Sequence, residues 1–217
     1  MNKILKNPQG HALQTPWFEE NFGQVYKKIE NNTLVSPDRC YILQQLLLQT
    51  SSLEGGVIEC GAFKGGTSYL LAHTLRECQS DKQLYVFDTF KGMPDTADPN
   101  RDHCRPGQFS AGFQEVKEFL KEFNPNIYQG LIPEIFSVLD RDQQFCFVHI
   151  DVDIYPSTFD SISFIYPRTV ANGIIICDDY GFVTYANAAK KAFDDFFASK
   201  PENVICLPTG QAMVIKL

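Results

Sequence analysis

The 217-residue chain has no long hydrophobic run, no CxxC pair, no low-complexity tract and little basic charge. Each absence removes a class of function. Crossing a bilayer takes about 20 consecutive apolar residues, and the run Ile174 to Cys177 is stopped at once by Asp178. The start, Met1 to Gly10, is polar and lacks the apolar core of a signal peptide. Export and membrane spanning are therefore not expected, which leaves the cytoplasm. Seven cysteines is an odd number, and Cys60, Cys146 and Cys177 lie in or beside apolar runs, where cysteine behaves as a small hydrophobe. Reduced, structural thiols are expected, with Cys104, next to His103 in a polar stretch, the one candidate for a reactive thiol or a ligand. The 19 Lys and Arg against 26 Asp and Glu give a net charge of −7, which argues against a nucleic-acid partner. Lys27-Lys28 and Lys190-Lys191 read as solvated helix faces.

What is present is an ordinary globular composition, 44% hydrophobic and 21% charged, in a chain long enough for one sizeable core. Residues 1–35 read as an amino-terminal helical segment, and 36–217 as the main domain. Pro16 to Ile29 carries Trp17, Phe18, Phe22, Val25 and Tyr26, and is expected to form a helix that packs on the domain as a lid or offers a homodimer surface. Ser36 can cap the next helix, Pro37 suits its first position, and Ile42, Leu43, Leu46 and Leu47 follow at helical spacing.

From Gly56 the pattern alternates. Strands are expected at Val57–Cys60, Leu84–Asp88, Ile127-Tyr128, Phe145–Asp151 and Ile174–Cys177. Helices are expected at Thr67–Glu77, Phe113–Phe123, Pro133–Leu139, Ser157–Tyr166 and Tyr185–Ala198. A hairpin turning at Pro208-Thr209-Gly210-Gln211 ends the chain. Such alternation implies an α/β fold, a parallel sheet covered by helices on both faces. The polar stretch Lys91 to Gly112 exceeds the ordinary length of a connection and is expected to lie on the substrate side.

Two acidic clusters, Asp151-Val152-Asp153 and Asp178-Asp179, each follow a wholly apolar run. If both runs are buried parallel strands, the carboxylates emerge together at the carboxyl edge of one sheet, where open α/β sheets bind ligands. Carboxylates about 4.5 Å apart at an effective dielectric of ~20 repel by roughly 3 to 4 kcal/mol per pair. Such a cluster needs a cation or protons, and carboxylate oxygens suit magnesium. Strand alternation would put Asp151 and Asp153 on one side, so that one binds a metal while the other faces a substrate. His149, inside the strand, reads as a core or supporting imidazole. Tyr155, Tyr180 and Tyr185 are candidate pocket linings, and Lys64 is expected to point to solvent.

Further back, Glu59-Cys60-Gly61-Ala62-Phe63-Lys64-Gly65-Gly66-Thr67-Ser68 places a strand, a glycine-rich turn and a helix start in order. The glycines do not have the GxGxxG spacing of dinucleotide folds. Asp88 ends the next strand, where a ribose hydroxyl pair is usually held. Glu59 at the first strand end would meet a pyrophosphate unfavourably but can accept from a cationic amino-acid tail. The combination favours S-adenosylmethionine.

The segments VIECGAFKGGTS, YVFDTFKGMPD, FVHIDVDIYPST and GIIICDDYGF, followed by AAKKAFDDFF, resemble the macrocin O-methyltransferase family from about Thr33 to the end. The resemblance implies a class I methyltransferase, a Rossmann-like sheet of seven strands with the last antiparallel and helices on both faces. It implies a divalent cation, usually magnesium, on Asp151, Asp178 and Asp179, and a base at Asp153. Cofactor contacts are implied at Glu59, Gly61 and the Thr67-Ser68 turn, with Asp88 on the ribose; Phe63 and Gly130 are placed with this set. The expected reaction is S-adenosylmethionine-dependent methylation of a small-molecule hydroxyl, on a sugar of a glycosylated natural product. The alternatives are a metal-dependent hydrolase using the acidic cluster and a non-catalytic cofactor-binding module.

Overall fold

The computed structural model describes residues 9, 10, 12, 14–95 and 97–217. The polar start at residues 1–8 lies outside them. Helix α1 (Glu20–Ile29) and helix α2 (Pro37–Gln49) precede strand β1 (Gly56–Cys60). Then follow α3 (Gly66–Glu77), β2 (Leu84–Asp88), α4 (Phe113–Leu120), β3 (Asn126–Gln129), β4 (Phe145–Ile150), α5 (Tyr155–Ile165), β5 (Thr169–Cys177), α6 (Ala189–Phe197), β6 (Ile205–Cys206) and β7 (Ala212–Ile215). The seven strands form one sheet in the order β3-β2-β1-β4-β5-β7-β6. The β1–β5 ladder is parallel and β7 runs antiparallel to β5, the arrangement the resemblance implies. Among the described residues no helix is long and apolar enough to cross a membrane.

Burial explains the element choice. β1 and β4 are buried at every position, as strands covered on both faces must be. Alternation along β5 sends Ile174 and Ile176 to a core shared with α1, α2 and α3, and Ile175 and Cys177 to a core shared with α5 and α6. Next in parity after Ile176 comes Asp178, which therefore faces α2. α1 buries Phe22, Val25 and Ile29, spaced three and four apart, in the first of these cores. The amino-terminal helix is thus packed into the domain.

Several expected boundaries move, each for a backbone reason. β4 stops at Ile150, because Asp153 takes a left-handed φ of 55°. Extended alternation therefore does not align Asp151 with Asp153; a turn does. β5 starts as early as Thr169, where it pairs with Phe145, and Asn172 and Gly173 bond to Lys216. Pro133–Leu139 contracts to a 3-10 segment, Glu134–Val138, and α6 begins at Ala189 after a separate 3-10 turn at Val183–Tyr185. Ser36 precedes α2 without capping it; its hydroxyl accepts from Arg39 Nε at 3.2 Å instead.

Ile29→Ala should destabilise the protein by about 2–5 kcal/mol in urea unfolding, the usual cost of emptying a fully buried aliphatic site. A midpoint unchanged by the substitution would mean that α1 is not part of the core.

Candidate functional site

A cavity of about 290 Å³ opens over the carboxyl ends of the parallel strands, the edge expected to bind ligands. Its floor is built by short bonds that continue the ladder past the strands. Gly61 N donates to Phe87 O at 2.8 Å, Asp151 N to Cys60 O at 2.8 Å, and Asp178 N to Ile150 O at 2.9 Å. The chain ends of β1, β4 and β5 are thereby locked side by side. At Gly61, with φ of 90°, an added Cβ would lie 1.7 Å from the Asp151 carbonyl oxygen, so only glycine allows the two strand ends to touch.

At the glycine turn, Asp88 Oδ2 accepts from Ala62 N at 2.8 Å and Phe63 N at 2.9 Å, while Oδ1 accepts from Phe90 N at 2.6 Å. Burial raises the Asp88 pKa despite these three donors. Asp88 lines the cavity with Gly61, Phe63, Thr67 and Gly130. Glu59 and Ser68 lie deeper. Both are fully buried, the Ser68 hydroxyl donates to Glu59 Oε2, and neither reaches the cavity wall. The long loop after β2 contributes Met93, Pro94 and Phe109. It is anchored by buried Asp102, which accepts from Tyr155 N at 3.0 Å and Asp98 N at 2.8 Å.

The opposite end of the cavity is acidic. Among the described residues, one oxygen each from Asp151, Asp153 and Asp179 lie within 4.8 Å of one another. Burial and then the neighbouring Asp178 charge raise Asp151 to about 8. Burial raises Asp153 to about 6, although the adjacent Tyr185 hydroxyl opposes the shift. Burial and the charges of Asp151 and Asp153 hold Asp179 well above the usual range, and among the described residues its buried Oδ2 has no hydrogen-bond partner. These groups compete for protons, as the repulsion between them requires.

Asp178 is different. Burial would raise it, but His149 and Arg39 outweigh burial and lower it. Arg39 Nη1 donates to its Oδ2, and Gln211 Nε2 donates to Oδ1 at 2.8 Å. His149 Nε2 stands 3.6 Å from the same Oδ1, an ion pair too long for a full hydrogen bond, while Nδ1 meets Glu59 Oε1 at 3.0 Å. Burial would push His149 down; the two carboxylates prevail and hold it protonated, at about 10. The ligand set implied by the resemblance, Asp151, Asp178 and Asp179, thus differs in one member from the set whose oxygens converge.

A family model described as macrocin O-methyltransferase (TylF) matches residues 30–201. The chain belongs to this family. It is accordingly an S-adenosylmethionine-dependent O-methyltransferase. Demethyldecarbamoylnovobiocin O-methyltransferase of Streptomyces niveus is 24% identical over 212 residues, covering 83% of this chain and 79% of that protein. A second relative, from Streptomyces olivaceus, is 24% identical over 159 residues, 65% of this chain and 58% of its own. It is named 8-demethyl-8-(2,3-dimethoxy-alpha-L-rhamnosyl)-tetracenomycin-C 4'-O-methyltransferase. The solved O-methyltransferase NovP superposes with a TM-score of 0.75 at 21% identity, covering 85% of this chain and 82% of its own. That likeness supports the fold.

In this macrocin O-methyltransferase family member, sequence reasoning missed Arg39 and Gln211, which sit far along the chain from the acidic motifs. Arg39 had one available signal, a lone basic residue two positions into an otherwise apolar-faced helix. Of the three tyrosines considered, Tyr185 lines the cavity. Tyr155 and Tyr180 instead donate to Asp195 at 2.9 Å and Asp194 at 2.7 Å. All seven cysteines are free. Cys104 is buried against Ala97 and Ile154, and burial pushes its thiol up to about 12, which removes it as a reactive thiolate. Lys64 is exposed, as expected. Gly61→Ala should cost about 3 kcal/mol or more in urea unfolding, since backbone cannot yield as a side-chain tip does. Wild-type stability in that variant would contradict the close approach of the two strand ends.

Proposed function

We propose that this chain methylates a sugar hydroxyl of a glycosylated natural product, with a divalent cation, magnesium expected, at the acidic end of the cavity. The convergence of Asp151, Asp153 and Asp179 oxygens in the same cavity as the glycine turn carries the reading. The donor set fits such an ion: the oxygens are hard and mutually repelling, Asp151 and Asp153 are half-buried and Asp179 is buried, and among the described residues Asp179 Oδ2 has no hydrogen-bond partner. Asp151 and Asp179 would hold it, with Asp178 as the implied third ligand. When bound, a divalent cation supplies positive charge that lowers the pKa of a hydroxyl oxygen beside it.

The remaining work falls to this chain's residues. The glycine turn, Thr67, Asp88 and Gly130 are assigned to the adenosine and its ribose, while Glu59 and Ser68 support that wall from behind. Asp153, held near neutrality at about 6, is assigned as the base: its carboxylate takes the hydroxyl proton as the oxygen–methyl bond forms and the sulfur–methyl bond breaks. S-adenosylhomocysteine leaves as the neutral product. A neutral acceptor suits the electrostatics. Among the described residues lining the cavity, Arg39 is the one Lys or Arg and is already paired with Asp178, whereas five aspartates face the space. The names of the two curated relatives, one of which specifies a rhamnosyl 4'-O-methyltransferase, support a glycosylated acceptor. Thr33, Leu34 and Val35 line the cavity, which supports the amino-terminal segment as its cover.

Methyl transfer to a glycoside acceptor should stop in excess chelator and return with magnesium. Asp179→Asn should lower kcat/KM on the order of a hundredfold or more while calorimetry finds S-adenosylhomocysteine binding retained. Asp153→Asn should lower kcat by roughly 10²–10⁴. Full turnover in chelator would sink the cation's role.

A further inference from the structure

Arg39 belongs to α2, away from the strand ends, yet its guanidinium lies inside the acidic site with 13% of the side chain exposed. Four partners hold it there. Nη1 donates to Asp178 Oδ2, Nη2 to Leu34 O at 3.1 Å and Nε to Ser36 Oγ at 3.2 Å, and the Phe182 ring packs 5.1 Å from the guanidinium carbon. Asp178, wholly buried, has its other oxygen on Gln211 and near His149. Both of its oxygens are committed, whereas Asp151, Asp153 and Asp179 turn theirs toward one another.

We propose that Arg39 is a built-in competitor for the cation site, its guanidinium and a divalent cation being alternative occupants of Asp178 Oδ2. The proposal rests on the divalent-cation reading above. A guanidinium N–H takes one of the lone pairs of the oxygen that a metal would use, and two cations at one buried oxygen repel each other. Without an ion, Arg39 supplies the charge that a buried Asp178 needs; removing a partner from a buried carboxylate is costly unless another cation replaces it. Arg39 also borders the cavity, so open space lies beside it when it yields. Phe182 and Leu34, which hold the guanidinium, line the same cavity. Exchange at Asp178 therefore alters the wall of the acceptor space, which makes Arg39 a positioning residue for the reaction.

The test is calorimetric titration of manganese(II) into the full chain saturated with S-adenosylhomocysteine, comparing wild type with Arg39→Gln, Arg39→Lys and Asp179→Asn. Arg39→Gln should bind manganese on the order of tenfold or more tightly than wild type. Arg39→Lys, which keeps the charge but loses the fork, should fall between them. Asp179→Asn should bind weakly, locating the ion in this site. Equal or weaker affinity in Arg39→Gln, with binding still sensitive to Asp179→Asn, overturns the competition and leaves the cation site standing. Absence of binding to both wild type and Arg39→Gln, or binding indifferent to Asp179→Asn, overturns the cation reading and this proposal with it. If Arg39→Gln fails to fold, Arg39→Lys decides: tighter than wild type supports the competition, equal or weaker overturns it.

Discussion

Repulsion among carboxylates delivered by neighbouring strand ends is the constraint on which the rest of this site depends. The ends of β1, β4 and β5 bring Glu59, Asp151, Asp153, Asp178 and Asp179 to one edge, where Asp151 and Asp153 are half-buried and the others buried, while among the described residues the cations that meet them are His149 and Arg39. The imbalance is resolved unevenly. His149 bridges Glu59 and Asp178, and Arg39 completes Asp178, so these two acids are individually compensated. Among the described residues, Asp151, Asp153 and Asp179 receive no such partner, and they shift upward together. An uncompensated group of hard oxygens is what a divalent cation or protons must neutralise.

The same chemistry, used differently, holds the glycine turn in place. Asp88 spends its charge on three backbone N–H groups of the glycine turn and the following loop. Glu59 spends its own on Ser68 and His149. Acids that a sequence reading assigns to ligand contact thus also hold the turn in shape. Glu59 acts from behind the wall, whereas Asp88, with oxygens that accept more than one donor each, remains exposed to the cavity as well. Preorganising the wall in this way lets a ligand bind without first ordering the loop.

The parallel sheet was legible because its strands are continuous apolar runs ending in acids, a pattern set by burial on both faces. Asp151, Asp178 and Asp179 were legible as neighbours because the register pairs Ile150 with Cys177. Asp153 reached the cluster by a route that alternation did not foresee, since a left-handed turn rather than an extended strand carries it there. Arg39 and Gln211 were not legible, because which helix face and which hairpin residue meet Asp178 depends on how α2 and β7 pack on the sheet. Local pattern says nothing of that. The helix ends were blurred for a milder reason: 3-10 turns such as those at Glu134–Val138 and Val183–Tyr185 are short pieces that occur at helix ends and as connectors, where boundaries shift by a residue or two.

The position of Arg39 ties the amino-terminal helices to the chemistry. α1 and α2 share a core with β1 and β5, and α2 sends its first-turn arginine into the acidic cluster. Ser36 and Leu34, which steady that arginine, lie in the connection from α1 to α2, and Leu34 with Thr33 and Val35 forms part of the cavity wall. Any ligand that changes how Arg39 engages Asp178 therefore changes the tether of this connection. By linkage, whatever fixes the connection must alter the ligand's affinity by the same free energy. An acceptor resting on Thr33 to Val35 and a cation drawn to Asp178 would then sense each other through one guanidinium.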